Sequence, residues 1–330
     1  MSDWPRVRLH VVTGKGGTGK TTVAAALALG LAREGRRVLL CEAEGRQGIA
    51  HLFDVEPLPY EERLIAVAPG EGEVLALAID AEAALLEYLD MYYRLGRAGR
   101  ALDRFGVIDF ATTIAPGVRD VLLTGKVFEA FRRRDRDGRP VYDHIVLDAA
   151  PTGRITRFLN VNHEVAGLAK VGPIRKQADG IMQVLQSRGT AVHLVTLLED
   201  MPVQETADAI GELTAADLPI GGIVVNQARS SPLTAATRKS VAEGTLDLAE
   251  LIPGLSAAGL DDLPVGPEGL AGGLLAGAGE HVERLELEDG LLADVEGLDR
   301  PVYRLPQLGD GIDLAALYEL ADALCEQGMA

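Results

Sequence analysis

Short β-branched apolar runs alternate along this chain with longer Ala- and Leu-rich stretches. Val7–Thr13 (VRLHVVT), Arg37–Glu42 (RVLLCE), Val74–Asp80, His144–Asp148, Ala191–Leu197 and Ile220–Asn226 have the length and composition of buried strands. Lys20–Arg33 (KTTVAAALALGLAR), Ala81–Leu95, Val203–Ala215 and Leu314–Gln327 have those of helices. Lys20–Arg33 is apolar nearly all round, which predicts a helix buried against a sheet face. Strand, glycine loop, helix and strand in succession predict a right-handed parallel crossover. Its repetition predicts an α/β fold, a doubly wound and mostly parallel sheet.

Some segments exceed a minimal sheet. Helical insertions are expected near 81–134, with a charged tip at Arg132–Arg139 (RRRDRDGR), and near 161–189. Residues 229–300 are acidic, rich in Gly, Ala and Leu, and poor in strand signals. They are expected as helices and loops on a core made of 1–228 and 301–330.

Composition narrows the function. With 49 acids against 32 bases, the net charge is −17, which disfavours a nucleic-acid partner that must be gripped by Lys and Arg. The two cysteines, Cys41 and Cys325, form no CxxC pair, so neither a zinc site nor a disulfide framework is expected. No basic start followed by an apolar run marks a signal peptide. The apolar stretch Val23–Ala32 is half the roughly 20 residues of a membrane span. A cytoplasmic protein without stable membrane insertion is the expectation.

Gly14-Lys15-Gly16-Gly17-Thr18-Gly19-Lys20-Thr21 matches G-x-x-x-x-G-K-[ST], placed between a strand and a helix. Glycines let backbone N–H groups converge on phosphate oxygens, and the helix start behind them adds partial positive charge. Lys20 is expected at the β- and γ-phosphates and the Thr21 hydroxyl on Mg²⁺, with Thr22 completing the cradle. A glycine turn without ligand is the plain alternative. Asp148, an acid at a buried strand end, is expected to hold Mg²⁺ through water, and a helix cap is its alternative. After it, Ala149-Ala150-Pro151-Thr152-Gly153 supplies a glycine able to approach the γ-phosphate and act as a switch.

These motifs carry a resemblance. The loop with its early lysine resembles the deviant Walker A class, in which that lysine reaches the nucleotide of a facing subunit. Asp148–Gly153 is similar to the D-T-A-P-T-G switch of the ArsA-like ATPases, the family of the arsenite-pump and guided-entry ATPases. Ala115-Pro116-Gly117 looks like its S-P-G element, and Val224-Val225-Asn226-Gln227 its V-V-N-Q segment. The resemblance covers about 1–228 and the last 30 residues, and is nearest to the actinobacterial members, which occur as two related subunits. It implies ATP with Mg²⁺, a dimer with itself or a related subunit through Lys15, and Asn226 on adenine. An Asn amide does match adenine's amino group and N7, and the Asp that usually follows in guanine readers is missing.

The chain also departs from that family. The Asp expected to orient the attacking water is replaced by Glu44, one methylene longer. A displacement of about 1 Å costs on the order of 10²-fold in rate, so either Glu44 serves as the water-positioning carboxylate or hydrolysis is slow. The family's paired zinc cysteines and clustered arsenite cysteines are missing, so no zinc is expected, and no Met-rich groove marks a membrane-segment cargo. No motif names the cargo. An ATP-driven switch is the leading reading; a nucleotide-binding scaffold subunit with little turnover is the alternative.

Overall fold

A computed structural model of the chain describes residues 2–93, 116–168, 173–260, 264–309 and 311–330. Ala115 and the middle of the expected 81–134 insertion, residues 94–115, lie outside the described residues, as do 169–172 within 161–189 and 261–263 within 229–300. The remainder forms two compact units, one of residues up to Ala228 with Leu298–Ala330, the other Arg229–Gly297.

The first unit is built on an eight-stranded sheet: β1 (Leu9–Gly14), β2 (Arg37–Glu42), β3 (Arg63–Ala68), β4 (Gly72–Ala78), β5 (His144–Asp148), β6 (Thr190–Thr196), β7 (Ile220–Ala228) and β8 (Val302–Pro306). Their order across the sheet is β3-β4-β2-β5-β1-β6-β7-β8. Among the described strand pairs of this sheet, only β3–β4 is antiparallel. Two edge strands, β3 and β8, add to the six expected. β3 is missed because Leu64 and Val67 point to solvent at the edge, so its pattern is not that of a buried run.

Side-chain alternation along each strand divides the core into two layers. Val12, Leu40, Val146 and Val195 face α1 (Lys20–Leu31), α2 (Gly48–Leu52) and α11 (Leu314–Glu326). Leu9, Val11, Leu39, Cys41, Ile145 and Leu147 belong to the opposite layer. That layer packs on α4 (Pro116–Arg132), α5 (Thr152–Leu168), α6 (Pro173–Leu185) and α7 (Asp200–Ala215), while α3 (Ala81–Tyr93) lies against α4. From Val23 to Leu31 every residue of α1 is buried, because the sheet covers one side and α11 another. Gly30 permits that approach: a Cβ there would lie 2.9 Å from the Ala330 Cβ and 3.1 Å from the Cys325 Sγ. The charged tip after α4 is a tight turn in which the Asp135 carboxylate accepts the N–H groups of Asp137 and Arg139.

The second unit holds α8 (Ala235–Ala242), α9 (Leu248–Ala257) and α10 (Gly266–Glu296). Both shorter helices pack on α10. Thr234 and Asp247 cap their starts by accepting the Thr237 and Ala249 N–H groups, and Arg229 pairs with Glu288. Among the described residues no helix is long and apolar enough to cross a membrane.

A histidine cluster lies beneath the sheet's α1 layer. The His193 Nδ1 accepts the Gly222 N–H at 3.1 Å, so the neutral ring carries its proton on Nε2 and donates it to the His10 Nδ1, also at 3.1 Å. The two rings stack with centroids 5.3 Å apart, and Trp4 meets His193 edge-on. Burial pushes His193 down to about 3, and burial with the neighbouring His193 and His144 pushes His10 well below the usual histidine range.

Two outcomes are expected. Depressed histidine values leave the native protein binding fewer protons than the unfolded chain, so stability is complete above about pH 6.5 and falls below it. Each histidine contributes a slope of up to about 1.4 kcal/mol per pH unit. Urea unfolding across pH 7 to 5 should show this, with a shallower slope for His10→Gln. Gly30→Leu should cost about 1–3 kcal/mol by overpacking the α1–α11 contact. Gly211→Ala, where a Cβ meets nothing within 4 Å on an exposed helix face, should gain somewhat under 1 kcal/mol in the same assay.

Candidate functional site

The candidate site lies at the carboxyl ends of the central strands, where a parallel sheet places its ligands. β1 ends at Gly14, and the loop to α1 turns through Gly17 (φ 91°) and Gly19 (φ 84°), left-handed conformations that favour glycine. Gly14 is required for a different reason: any Cβ would strike the Val195 carbonyl oxygen on β6. Side chains added at Gly16 or Gly17 would enter open space, the space a phosphate chain needs. The buried Thr18 closes the loop by donating its hydroxyl to the Lys15 carbonyl at 2.9 Å. The Asn226 amide, at the end of β7, donates to the Thr18 carbonyl at 2.9 Å. One of its two amide hydrogens therefore braces the phosphate loop.

Lys20, Thr21 and Thr22 open α1. The Thr21 hydroxyl donates to the Asp148 Oδ2 at 2.6 Å. Asp148 closes β5, is 7% exposed, and leaves its Oδ1 buried with no partner. Burial raises its carboxyl to about 6, opposed by the Thr21 hydrogen bond and by Lys20, and reinforced by Glu42 and Glu44. A carboxylate, a hydroxyl and an unused buried oxygen make a hard-oxygen set suited to Mg²⁺ beside a phosphate loop.

The chain leaving β5 is tied to β1 by the Ala149 N–H on the Val12 carbonyl and the Thr13 hydroxyl on the Ala150 carbonyl. Thr152 then starts α5 with Gly153 in its first turn, and a Cβ at Gly153 would meet nothing within 4 Å. Glu44 lies beyond β2, its carboxylate 3.5 Å from the Arg46 guanidinium. Lys15 turns away from the loop and pairs with Glu205 of α7 at 2.8 Å. The same Glu205 accepts the Thr152 hydroxyl at 2.9 Å, joining the early lysine to the segment that carries Gly153.

The structure thus brings Gly14–Thr22, Asp148 and Asn226 together, with Gly153 and Glu44 on flanking segments. Two residues escaped the sequence reading. Glu205 sits in mid-helix and carries no local signal. Glu42 was passed over in favour of Glu44, because its place beside Asp148 comes from the register of β2 against β5.

The family model for the anion-transporting ATPases matches residues 7–188. The chain is 53% identical to the ATPase BagA of Mycobacterium tuberculosis over 330 residues, covering 99% of this chain and 96% of that protein. It is 28% identical over 286 residues to an arsenical pump-driving ATPase of Escherichia coli, covering 78% of this chain and 47% of that protein. ATPase GET3 of Kluyveromyces lactis is 25% identical over 250 residues, 66% of this chain and 70% of its own length. With a glycine loop of this geometry at the carboxyl end of its central strand and these relatives, the chain belongs to the ArsA-like family of anion-transporting ATPases.

Proposed function

We propose that the chain is an ATP-dependent switch that holds Mg²⁺-ATP on Gly14–Thr22, hydrolyses it slowly, and works in the cytoplasm as a dimer with a second copy or a related subunit. The observation that carries this reading is the 2.6 Å contact between Thr21 and Asp148, with one Asp148 oxygen left buried and unpaired. Lys20 neutralises the β- and γ-phosphates, Thr21 ligates Mg²⁺, and Asp148 takes a cation-bound water. Asn226 offers its oxygen and second amide hydrogen to adenine while bracing the loop.

Lys15 has a different task in each state. In the resting chain Glu205 holds it; in the dimer it reaches the partner's phosphates. An exposed pair of this kind is worth about 1 kcal/mol at most, so the lysine is released at little cost. Because Thr152 bonds to the other oxygen of Glu205, release of Lys15 leaves the Gly153 segment tied to α7 by that hydrogen bond without the lysine. Glu44 positions the attacking water, and its contact with Arg46 favours low turnover. The same contact favours the second reading, a scaffold subunit that barely hydrolyses. Fast phosphate release by the lone chain removes the scaffold reading.

No cargo is assigned. Cys41 is buried at a strand end and Cys325 lies in α11, an arrangement that does not suit a soft anion.

Lys20→Ala is expected to weaken ATP binding about 10- to 100-fold, the loss of a charged hydrogen-bond donor, by calorimetric titration. Lys15→Ala should bind ATP within a few-fold of wild type yet stay monomeric in sedimentation with a non-hydrolysable analogue. Unimpaired ATP binding by the Lys20 variant overturns the site, and a dimer formed by the Lys15 variant overturns the role of that lysine.

A further inference from the structure

Asp148 is not the only acid buried beside Thr21. Glu42, the last residue of β2, is 2% exposed. It is paired in register with Asp148 on the adjacent parallel strand, and neighbouring strands run about 4.8 Å apart. Leu40 and Val146, two residues earlier on each strand, both face α1, so Glu42 and Asp148 project from that same face. The Glu42 Oε1 accepts the Gly48 N–H at 3.1 Å. Gly48 in turn lies against Thr21, since a Cβ there would come within 3.2 Å of the Thr21 methyl group. The other oxygen, Oε2, is buried with no partner, like the Asp148 Oδ1.

Buried carboxylates are ordinarily paired or bound to a cation. Here two stand on neighbouring strand ends, each holding one oxygen in a hydrogen bond and leaving one free. Glu42 acts on Asp148 as a like charge. Lys20 already offsets part of that repulsion at Asp148, and a further positive charge entering between the two acids would offset more of it.

We propose that Glu42 is a second carboxylate of the cation pocket, turning its free oxygen to the water shell of Mg²⁺ while its other oxygen ties Gly48 and α2 to that pocket. This rests on the reading of Thr21 and Asp148 as the Mg²⁺ site. The cation then does two things in this chain: it relieves the repulsion between two strand ends, and it secures the segment that carries Glu44. Glu42 is a positioning residue, acting on the water shell and on Gly48.

The test uses the full chain with saturating non-hydrolysable ATP analogue and Mn²⁺ as the probe, its free concentration read by electron paramagnetic resonance. Glu42→Gln keeps the oxygen that accepts the Gly48 N–H and removes the charge. Its Mn²⁺ affinity should fall about 10-fold or more, the usual effect of losing an outer-shell partner. Without nucleotide or cation, its thermal midpoint should rise above that of wild type, because the repulsion is gone. Glu42→Asp, which restores the charge, should bind Mn²⁺ more tightly than Glu42→Gln. Equal Mn²⁺ affinity in wild type and Glu42→Gln, with Asp148→Asn weakened, overturns the role of Glu42 and leaves the parent site standing. So does equal affinity in the Gln and Asp variants. If Asp148→Asn and Thr21→Ala also bind Mn²⁺ as wild type does, the parent site falls with it.

Discussion

A parallel sheet covered on both faces has no free surface except its ends, and that constraint shapes this molecule. The core takes nearly every side chain of β1, β2, β5 and β6, so polar chemistry is driven to the carboxyl edge. There the chain must reverse into helices, and the reversals supply what a polyphosphate needs: unpaired backbone N–H groups, glycines in left-handed turns, and a helix start. The same constraint places acids at strand ends, where Glu42 and Asp148 stand side by side. Each holds one oxygen in a hydrogen bond, Asp148 from the Thr21 hydroxyl and Glu42 from the Gly48 N–H, and Lys20 acts on Asp148 as the opposite charge.

The other end of the sheet carries a different kind of polar group. His10 and His193 sit under α1 with their protons assigned by a single Gly222 N–H, and burial keeps them neutral. Both ends thus hold buried titratable groups, yet with opposite consequences. The acids at the carboxyl end each leave one buried oxygen unpaired, while the histidines at the amino end bond to each other and to the Gly222 N–H.

Much of the core was legible because its signals are local. A β-branched run, a glycine loop and an Ala-rich stretch announce β1 and α1 before any partner strand is known, and the acid closing His144–Asp148 announces β5. The loop residues Gly14–Thr21 follow from stereochemistry alone. Edge strands were harder, since β3 exposes Leu64 and Val67 and so lacks the buried pattern of its neighbours. Glu42 was hidden for another reason: its importance arises from register with β5, which no single segment encodes. The brace between Asn226 and Thr18 joins residues 208 apart in sequence and was equally invisible.

Glu205 offers one more consequence. Its bond to Lys15 leaves 29% of the lysine side chain and 33% of its own in water, so dissolved ions screen it. At physiological ionic strength the screening length is about 8 Å, and it shortens to about 3 Å at 1 M. The buried Thr21–Asp148 contact is sheltered from that effect. Rising salt therefore loosens the lysine while leaving the phosphate cradle intact, so the two halves of this site answer to different properties of the surrounding solution.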